Sequence, residues 1–353
     1  MIQLGIQKLI DGANLTSAES QEILREVMSG QATNAQIAAF LTALRIKGET
    51  VEELIAFASV MRDCCLRIHP HVKGRLVDTC GTGGDKTKTF NISTTAAFVV
   101  AGADVAIAKH GNRSVTSKSG SADVLEKLGL NLKMTPKEVQ NAIEKVGVGF
   151  MFAPAFHPAM KYAVAPRREI GVRTVFNVLG PITNPASADT QLLGVYDAKL
   201  TTPMVYTLKR LGCEEAMVVH GLDGLDEIST LGKTVIAWLK ESEVATLEVT
   251  PEDFGVKQAR IEDIKGTTPK ESAKILFKIL NGNCAADDPK TEIVLVNSAA
   301  GIMVGGKADD FGYGMAAARE SIESGAACKK LKALVNASGG DLSKLEEFEQ
   351  KYG

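Results

Sequence analysis

No stretch of about 18 consecutive apolar residues occurs anywhere in the chain, so no segment has the length of a membrane-spanning helix. The opening residues, MIQLGIQKLIDG, lack the basic start and extended apolar core of an export signal, and the chain is expected to stay in the cytoplasm. A surplus of charge is missing as well. The formal net charge of -2 argues against a general nucleic-acid coat, because displacing counterions from phosphates needs an excess of Lys and Arg. Any basic site must be local. The six cysteines, at 64, 65, 80, 213, 284 and 328, have neither CxxC spacing nor the density of a disulfide scaffold, which leaves free thiols. Cys64 and Cys65, adjacent on a helix, would point to different sides, which speaks against a shared metal. There is no internal repeat and no low-complexity tract.

What remains is an ordinary globular mixture, 45% hydrophobic and 23% charged. At 353 residues the chain exceeds one usual domain, so a large domain with a smaller companion is expected. Residues 16 to 66 read as consecutive helices. Three capping boxes recur, Thr16 with Glu19, Thr33 with Gln36 and Thr50 with Glu53, and Gly30 and Gly48 sit where helices would end. Ile37, Phe40, Leu41 and Leu44 fall at helical spacing. The segment RIHPHVKG, 67 to 74, marks a boundary.

From residue 75 the order becomes strand, loop, helix, as in a mostly parallel sheet covered by helices. RLVDTCG, DVAIAKHG, GVGFMFAP and EEAMVVHG read as strands, and TVIAWLK and EVATLEVT as an antiparallel addition. Helices are expected at STTAAFVVAG and ADVLEKLG, then over 269 to 281, 291 to 304 and roughly 313 to 336. The fold class is therefore α/β, with a small N-terminal helical bundle of about residues 1–68 and a large domain of about 73–345.

Four segments carry chemistry. DTCGTGGDKTKTFNIST, 78 to 94, leaves a strand, crosses Gly81, Gly83 and Gly84, and enters a helix near Asn91 and Ser93. Glycines let backbone N–H groups turn towards an anion, and a helix N-terminus adds its dipole, so the arrangement suits phosphate. On its own, such a loop is better explained as a tight structural turn. Asp85 and the hydroxyls of Thr89, Ser93 and Thr94 strengthen the ligand-binding reading. KHGNRSVTSKSGSAD, 109 to 123, also follows a strand. Lys109 and Arg113 supply charge, His110 and Asn112 supply donors, and a Ser/Thr run extends to Ser121. Ligands bind outside the carboxyl ends of parallel strands, so the two loops should face each other.

GLDGLDEIS, 221 to 229, places Asp226 beside Glu227, a fit to a hard cation such as Mg2+, which takes one or two carboxylates together with substrate phosphates. The segment from 157 to 187 carries Arg167, Arg168 and Arg173 among apolar residues. One of them is a natural anchor for a carboxylate, and the other two are expected in structural salt bridges. His157, between Phe156 and Pro158, reads as a packed histidine, and His69, His71 and His220 show no ligand spacing.

Taken together, the GTGGD loop, NIST, KHGNR, GSAD, RREIGVRTVFNVLGPITNPA and GLDE resemble the anthranilate phosphoribosyltransferase family, which is related in fold to pyrimidine nucleoside phosphorylases. The likeness spans nearly the whole chain. It implies transfer of phosphoribose from 5-phosphoribosyl 1-pyrophosphate (PRPP) to the amine of anthranilate in tryptophan biosynthesis, with Mg2+, by a homodimer paired through its small domains. PRPP contacts would fall on Gly81, Gly84, Asp85, Thr89, Asn91, Ile92, Ser93, Thr94, Lys109, His110, Gly111, Asn112, Arg113, Ser114, Val115, Thr116, Ser117 and Ser121. Anthranilate contacts would fall on Gly81, Asn112 and Arg167, and metal ligands on Ser93, Asp226 and Glu227. Lys109, Asn112 and Arg167 would orient substrates and stabilise charge, with no covalent nucleophile. The resemblance also implies that the segment 157–187 completes the small domain. Two other readings stay open: a nucleoside phosphorylase taking free phosphate, and a non-catalytic relative that binds nucleic acid, which would need a broad basic face.

Overall fold

The structure, a computed structural model, describes residues 1–83, 89–114, 119–266, 268–285 and 287–353. Four helices open the chain: α1 (Ile2–Ile10), α2 (Ser17–Met28), α3 (Asn34–Lys47) and α4 (Val51–Asp63). The last three begin on the expected capping boxes, in which Thr16, Thr33 and Thr50 each exchange hydrogen bonds with the residue three positions on. Each box satisfies N–H groups that a helix start leaves over. Gly30 and Gly48 hold φ of +76° and +86°, which a side chain would resist. Inside the bundle Phe40 and Phe57 meet edge to face, their centroids 6.0 Å apart.

The large part contains β1 (Leu76–Gly81), α5 (Ile92–Gly102), β2 (Ala106–Gly111), α6 (Ser121–Lys127), α7 (Pro136–Val146) and β3 (Val148–Phe152). After these come α8 (Ala153–Phe156), α9 (Lys161–Ile170), α10 (Phe176–Leu179), β4 (Thr190–Gly194), α11 (Thr201–Arg210) and β5 (Glu215–Gly221). The hairpin β6 (Thr234–Lys240) and β7 (Glu243–Val249) precedes α12 (Pro269–Leu280), α13 (Pro289–Val304), α14 (Phe311–Glu323), α15 (Ala326–Ala337) and α16 (Leu342–Tyr352).

The seven strands form one sheet in the order β3-β2-β1-β4-β5-β6-β7. Strands β1 to β5 run parallel, and β6 and β7 add antiparallel, as the sequence predicts. The chain builds outward from β1 to β3 on one side, then returns to lay β4 and β5 on the other. The carboxyl end of β1 is thus a topological switch point, where an open α/β sheet leaves a crevice.

Some elements escape sequence reading. β4 is five wholly buried residues, too short to show a period. The single closing helix expected over 313 to 336 is two helices, because Gly325 takes φ +71° between α14 and α15. Helices α1, α7, α11 and α16 are further elements beyond the sequence expectations. The segment after β3 turns back onto the bundle: α9 packs on α2 and α3, and its Tyr162 ring covers Gly30, where an added Cβ would lie 2.6 Å from the ring. From α4, Arg62 donates to the Ile182 and Leu211 carbonyls, tying the bundle to the sheet domain.

Candidate active site

Two glycines make room for the site. Gly81 ends β1 directly beside Gly194 at the end of β4. The loop after β5 crosses this pair: a Cβ on Gly194 would lie 1.7 Å from the Asp226 carbonyl oxygen, and one on Gly81 would lie 2.7 Å from its Oδ2. With both side chains absent, the Asp226 carboxylate reaches the first glycine loop and accepts the Gly83 N–H at 2.8 Å. Gly83 takes φ +66°, the left-handed conformation that turns this N–H. Next to it, Glu227 accepts the Ser93 N–H at 3.2 Å, in the first turn of α5.

Lys109 enters from β2. Its buried ammonium donates to the Thr79 carbonyl and lies 3.5 Å from Ser93 Oγ. Burial lowers its pKa, opposed by the charges of Asp78, Cys80 and Glu227. The segments around 81, 93, 109 and 226 therefore meet at the carboxyl ends of β1, β2, β4 and β5.

Asn91 caps α5 and ties the two loops together: its Nδ2 donates to the Ser119 carbonyl at 3.2 Å, and its Oδ1 accepts the Ser119 hydroxyl at 3.0 Å. Ile92 and Thr94 are buried in the same first turn. Thr89 forms an isolated antiparallel bridge with Lys265. In the second loop, Ser121 Oγ donates to the Asn112 carbonyl, and Gly111 leaves no space for a Cβ against Ser121 and Phe150. Ser114 N–H donates to Asp123 at 3.0 Å. Arg113 does not supply loose positive charge: its guanidinium pairs with Asp123 at 2.9 Å and Glu126 at 2.8 Å, which raises its pKa. Gly84, Asp85, Val115, Thr116 and Ser117 lie outside the described residues.

Beneath these loops lies a layer that the sequence reading missed. Asp78, fully buried on β1, accepts the His110 N–H at 3.3 Å and stands 3.5 Å from Gln191 Nε2. Burial pushes its pKa up to about 6, with Lys109 pulling the other way. Gln191 donates to the Pro181 carbonyl at 2.7 Å, and Asn184 to the Ala108 carbonyl at 2.8 Å. The GPITN stretch, a part of the family resemblance to which the sequence assigns no role, packs against the end of β2 below the second loop. His110 and His157, far apart in sequence, bring their ring centroids to 5.0 Å. Burial drives both down, His110 to about 3 and His157 to about 4, so both rings are neutral at pH 7. His157 is packed, as expected.

Arg167 lies in the last turn of α9 with its guanidinium 5.2 Å from the Phe176 ring centroid. It is half-buried and has no ion pair or hydrogen-bond acceptor among the described residues, and burial alone lowers its pKa. Arg168 is exposed and forms no ion pair among the described residues, so the salt bridge expected of it is not found. Arg173 stacks 4.2 Å from the Tyr196 ring centroid. The cysteines are free thiols.

A helical bundle joined to a parallel sheet whose strand ends gather anion donors and paired carboxylates defines a two-domain glycosyltransferase. Residues 5–65 match the glycosyl transferase family model for the helical bundle domain, and residues 73–328 the model for the a/b domain. Anthranilate phosphoribosyltransferase of Acetivibrio thermocellus is 49% identical over 97% of this chain and 98% of its own length. That of Moorella thermoacetica is 50% identical over 95% and 98%. The crystal structure of the Thermus thermophilus enzyme superposes with a TM-score of 0.89 at 40% identity, covering 95% of this chain and 99% of that one. The Saccharomyces cerevisiae enzyme, solved in complex with PRPP and Mg, gives 0.86 at 29% identity, covering 96% and 98%. The chain belongs to the anthranilate phosphoribosyltransferase family. No helix among the described residues is long and apolar enough to cross a membrane.

Proposed function

We propose that this chain transfers the 5-phosphoribosyl group from PRPP to the amine of anthranilate, yielding N-(5-phosphoribosyl)anthranilate and pyrophosphate in tryptophan biosynthesis. The observation that carries the reading is the meeting of Gly83, Ser93, Lys109, Asp226 and Glu227 at one switch point. Breaking the bond from ribose C1 to pyrophosphate develops negative charge on the leaving group and positive charge on the sugar. Lys109 neutralises the phosphate end, the Gly83 and Ser93 N–H groups hold the Asp226 and Glu227 carboxylates beside it, and by the resemblance the segment from Asn91 to Thr94 contacts phosphate oxygens. By the resemblance, Gly84, Asp85, Thr89 and the loop from Lys109 to Ser117 with Ser121 complete the PRPP contacts.

The donor set of Ser93, Asp226 and Glu227 is all oxygen and doubly anionic, which fits a hard divalent cation. When bound there, Mg2+ supplies charge neutralisation for pyrophosphate. Arg167 holds the anthranilate carboxylate, and Asn112 helps to hold the amine facing C1. No covalent nucleophile takes part, and an aromatic amine attacks before it loses its proton, so no general base is assigned. Arg167, which has no ion pair among the described residues, favours this reading over a nucleoside phosphorylase, since a neutral base needs no carboxylate anchor.

The small domain is completed by α9 and α10, which pack on α2, α3 and α4. Leu4, Ile10 and Ile46 stand exposed on the bundle, apolar surface that suits pairing with a second copy. Fluorescence decides the reaction: anthranilate emission should fall only when PRPP and Mg2+ are both present. Release of free base from a nucleoside and phosphate, with no fall in anthranilate emission in the presence of PRPP and Mg2+, would remove the reading.

A further inference from the structure

Strands β1 and β2 begin as a parallel pair, with Leu76 opposite Ala106 and Val77 opposite Ile107, and there the ladder between them ends. On its other side β1 stays paired with β4 as far as Gly81, and β2 stays paired with β3 as far as Gly111. The main-chain ladder between β1 and β2 therefore stops short of the ends that carry the two loops, although the two strands remain close neighbours. In a parallel ladder of this register, the next rung would join the His110 N–H to the Thr79 carbonyl and the Thr79 N–H to the Ala108 carbonyl.

Side chains have taken three of those four groups. Asp78 Oδ1 accepts the His110 N–H at 3.3 Å, the Lys109 ammonium donates to the Thr79 carbonyl, and Asn184 Nδ2 donates to the Ala108 carbonyl at 2.8 Å. All three residues are buried. Main-chain rungs would satisfy the same groups without burying a carboxylate and an ammonium, which water would otherwise solvate at lower cost. A break filled this way needs a use, and the cluster at its mouth supplies one: Lys109 stands between the strands, 3.5 Å from Ser93 Oγ.

We propose that Asp78 is a positioning residue for PRPP: by taking the His110 N–H in place of the Thr79 carbonyl, it keeps that main-chain rung open at the crevice and sets where the second loop stands relative to the first. Asp78 touches no substrate in this scheme and acts through His110 and the second loop. The effect is selective, because anthranilate is anchored by Arg167 on α9, a different element. The inference rests on the reading of the two loops as the PRPP site.

The test compares two variants of the full chain in Mg2+. Asp78→Ser has an oxygen too short to reach the His110 N–H, whereas Asp78→Asn keeps an acceptor of the original reach. Calorimetric titration of the wild-type protein with PRPP and Mg2+ comes first, and absence of binding there would sink the site reading and this inference with it. Given binding, Asp78→Ser should raise the KM for PRPP roughly tenfold while the KM for anthranilate moves less than about twofold, and Asp78→Asn should recover to within about threefold of wild type. A merely structural role would lower the active fraction and leave both KM values alone. That result, equal rises in both KM values, or Asn no better than Ser would overturn the proposal. Should Asp78→Ser fail to fold, Asn184→Ala, which strips another group of the same rung, must show the same split between substrates, and its absence overturns the proposal equally.

Discussion

Gly81 and Gly194 lie opposite each other on neighbouring parallel strands, and Asp226 occupies the space that their side chains would fill, with its backbone over Gly194 and its carboxylate over Gly81. A chain segment 143 residues downstream of Gly83 thereby reaches it with a carboxylate. Gly194→Ala should be among the most damaging small substitutions, since the clash is with main chain and cannot be relieved by a rotamer. We expect a loss of about 1–3 kcal/mol in stability and a larger fall in activity than in folded fraction. Urea midpoints and kcat measured side by side check this; a variant with wild-type values for both would show that the 226 loop is free to move.

Arg167→Ala should weaken anthranilate more than PRPP, through loss of a charge-assisted pair worth about 1.5–3 kcal/mol. The guanidinium over Phe176 has no ion pair of its own to lose among the described residues, so stability should change little. Separate KM values for the two substrates give the answer, and equal losses would contradict the assignment.

Replacing Asp226 and Glu227 by Asn and Gln should raise the Mg2+ concentration needed for half-maximal activity. Both amides retain an oxygen that can accept the Gly83 and Ser93 N–H groups, so the loop should stay in place while the charge is lost. Activity followed against Mg2+ concentration is the measurement. Unchanged metal dependence would move the metal elsewhere.

Acid should destabilise the fold through His110 and His157. Their folded pKa values, about 3 and about 4, lie below the ordinary 6.5, so the unfolded chain binds protons that the folded chain refuses. Stability is then whole above about pH 6.5 and is lost as pH falls towards 4. Asp78 acts in the opposite sense, its pKa of about 6 standing above the ordinary 3.8, so its contribution rises as pH falls through this window. His157→Gln should reduce the drop between pH 7 and pH 4.5 by about 2–3 kcal/mol, less any coupling to His110. Denaturant midpoints at the two pH values decide it, and parallel pH profiles for wild type and variant would refute the neutral buried pair.

The sequence by itself determined the local elements and the chemical vocabulary. Capping boxes at Thr16, Thr33 and Thr50 announce helices because the partners are three residues apart, and GTGGD and KHGNR announce anion loops because each is a contiguous strand-to-helix turn. Tertiary structure alone decided which of these groups meet. Asp78, Gln191 and Asn184 carry no local signal, since their partners lie 32, 10 or 113, and 76 residues away. Arg113 looked available until folding brought Glu126 of its own following helix beside it, and the reason for Gly194 is visible only when Asp226 is packed over it. Periodicity and capping are short-range effects of one stretch of backbone, whereas a crevice at a switch point exists only once non-adjacent strands have been laid side by side.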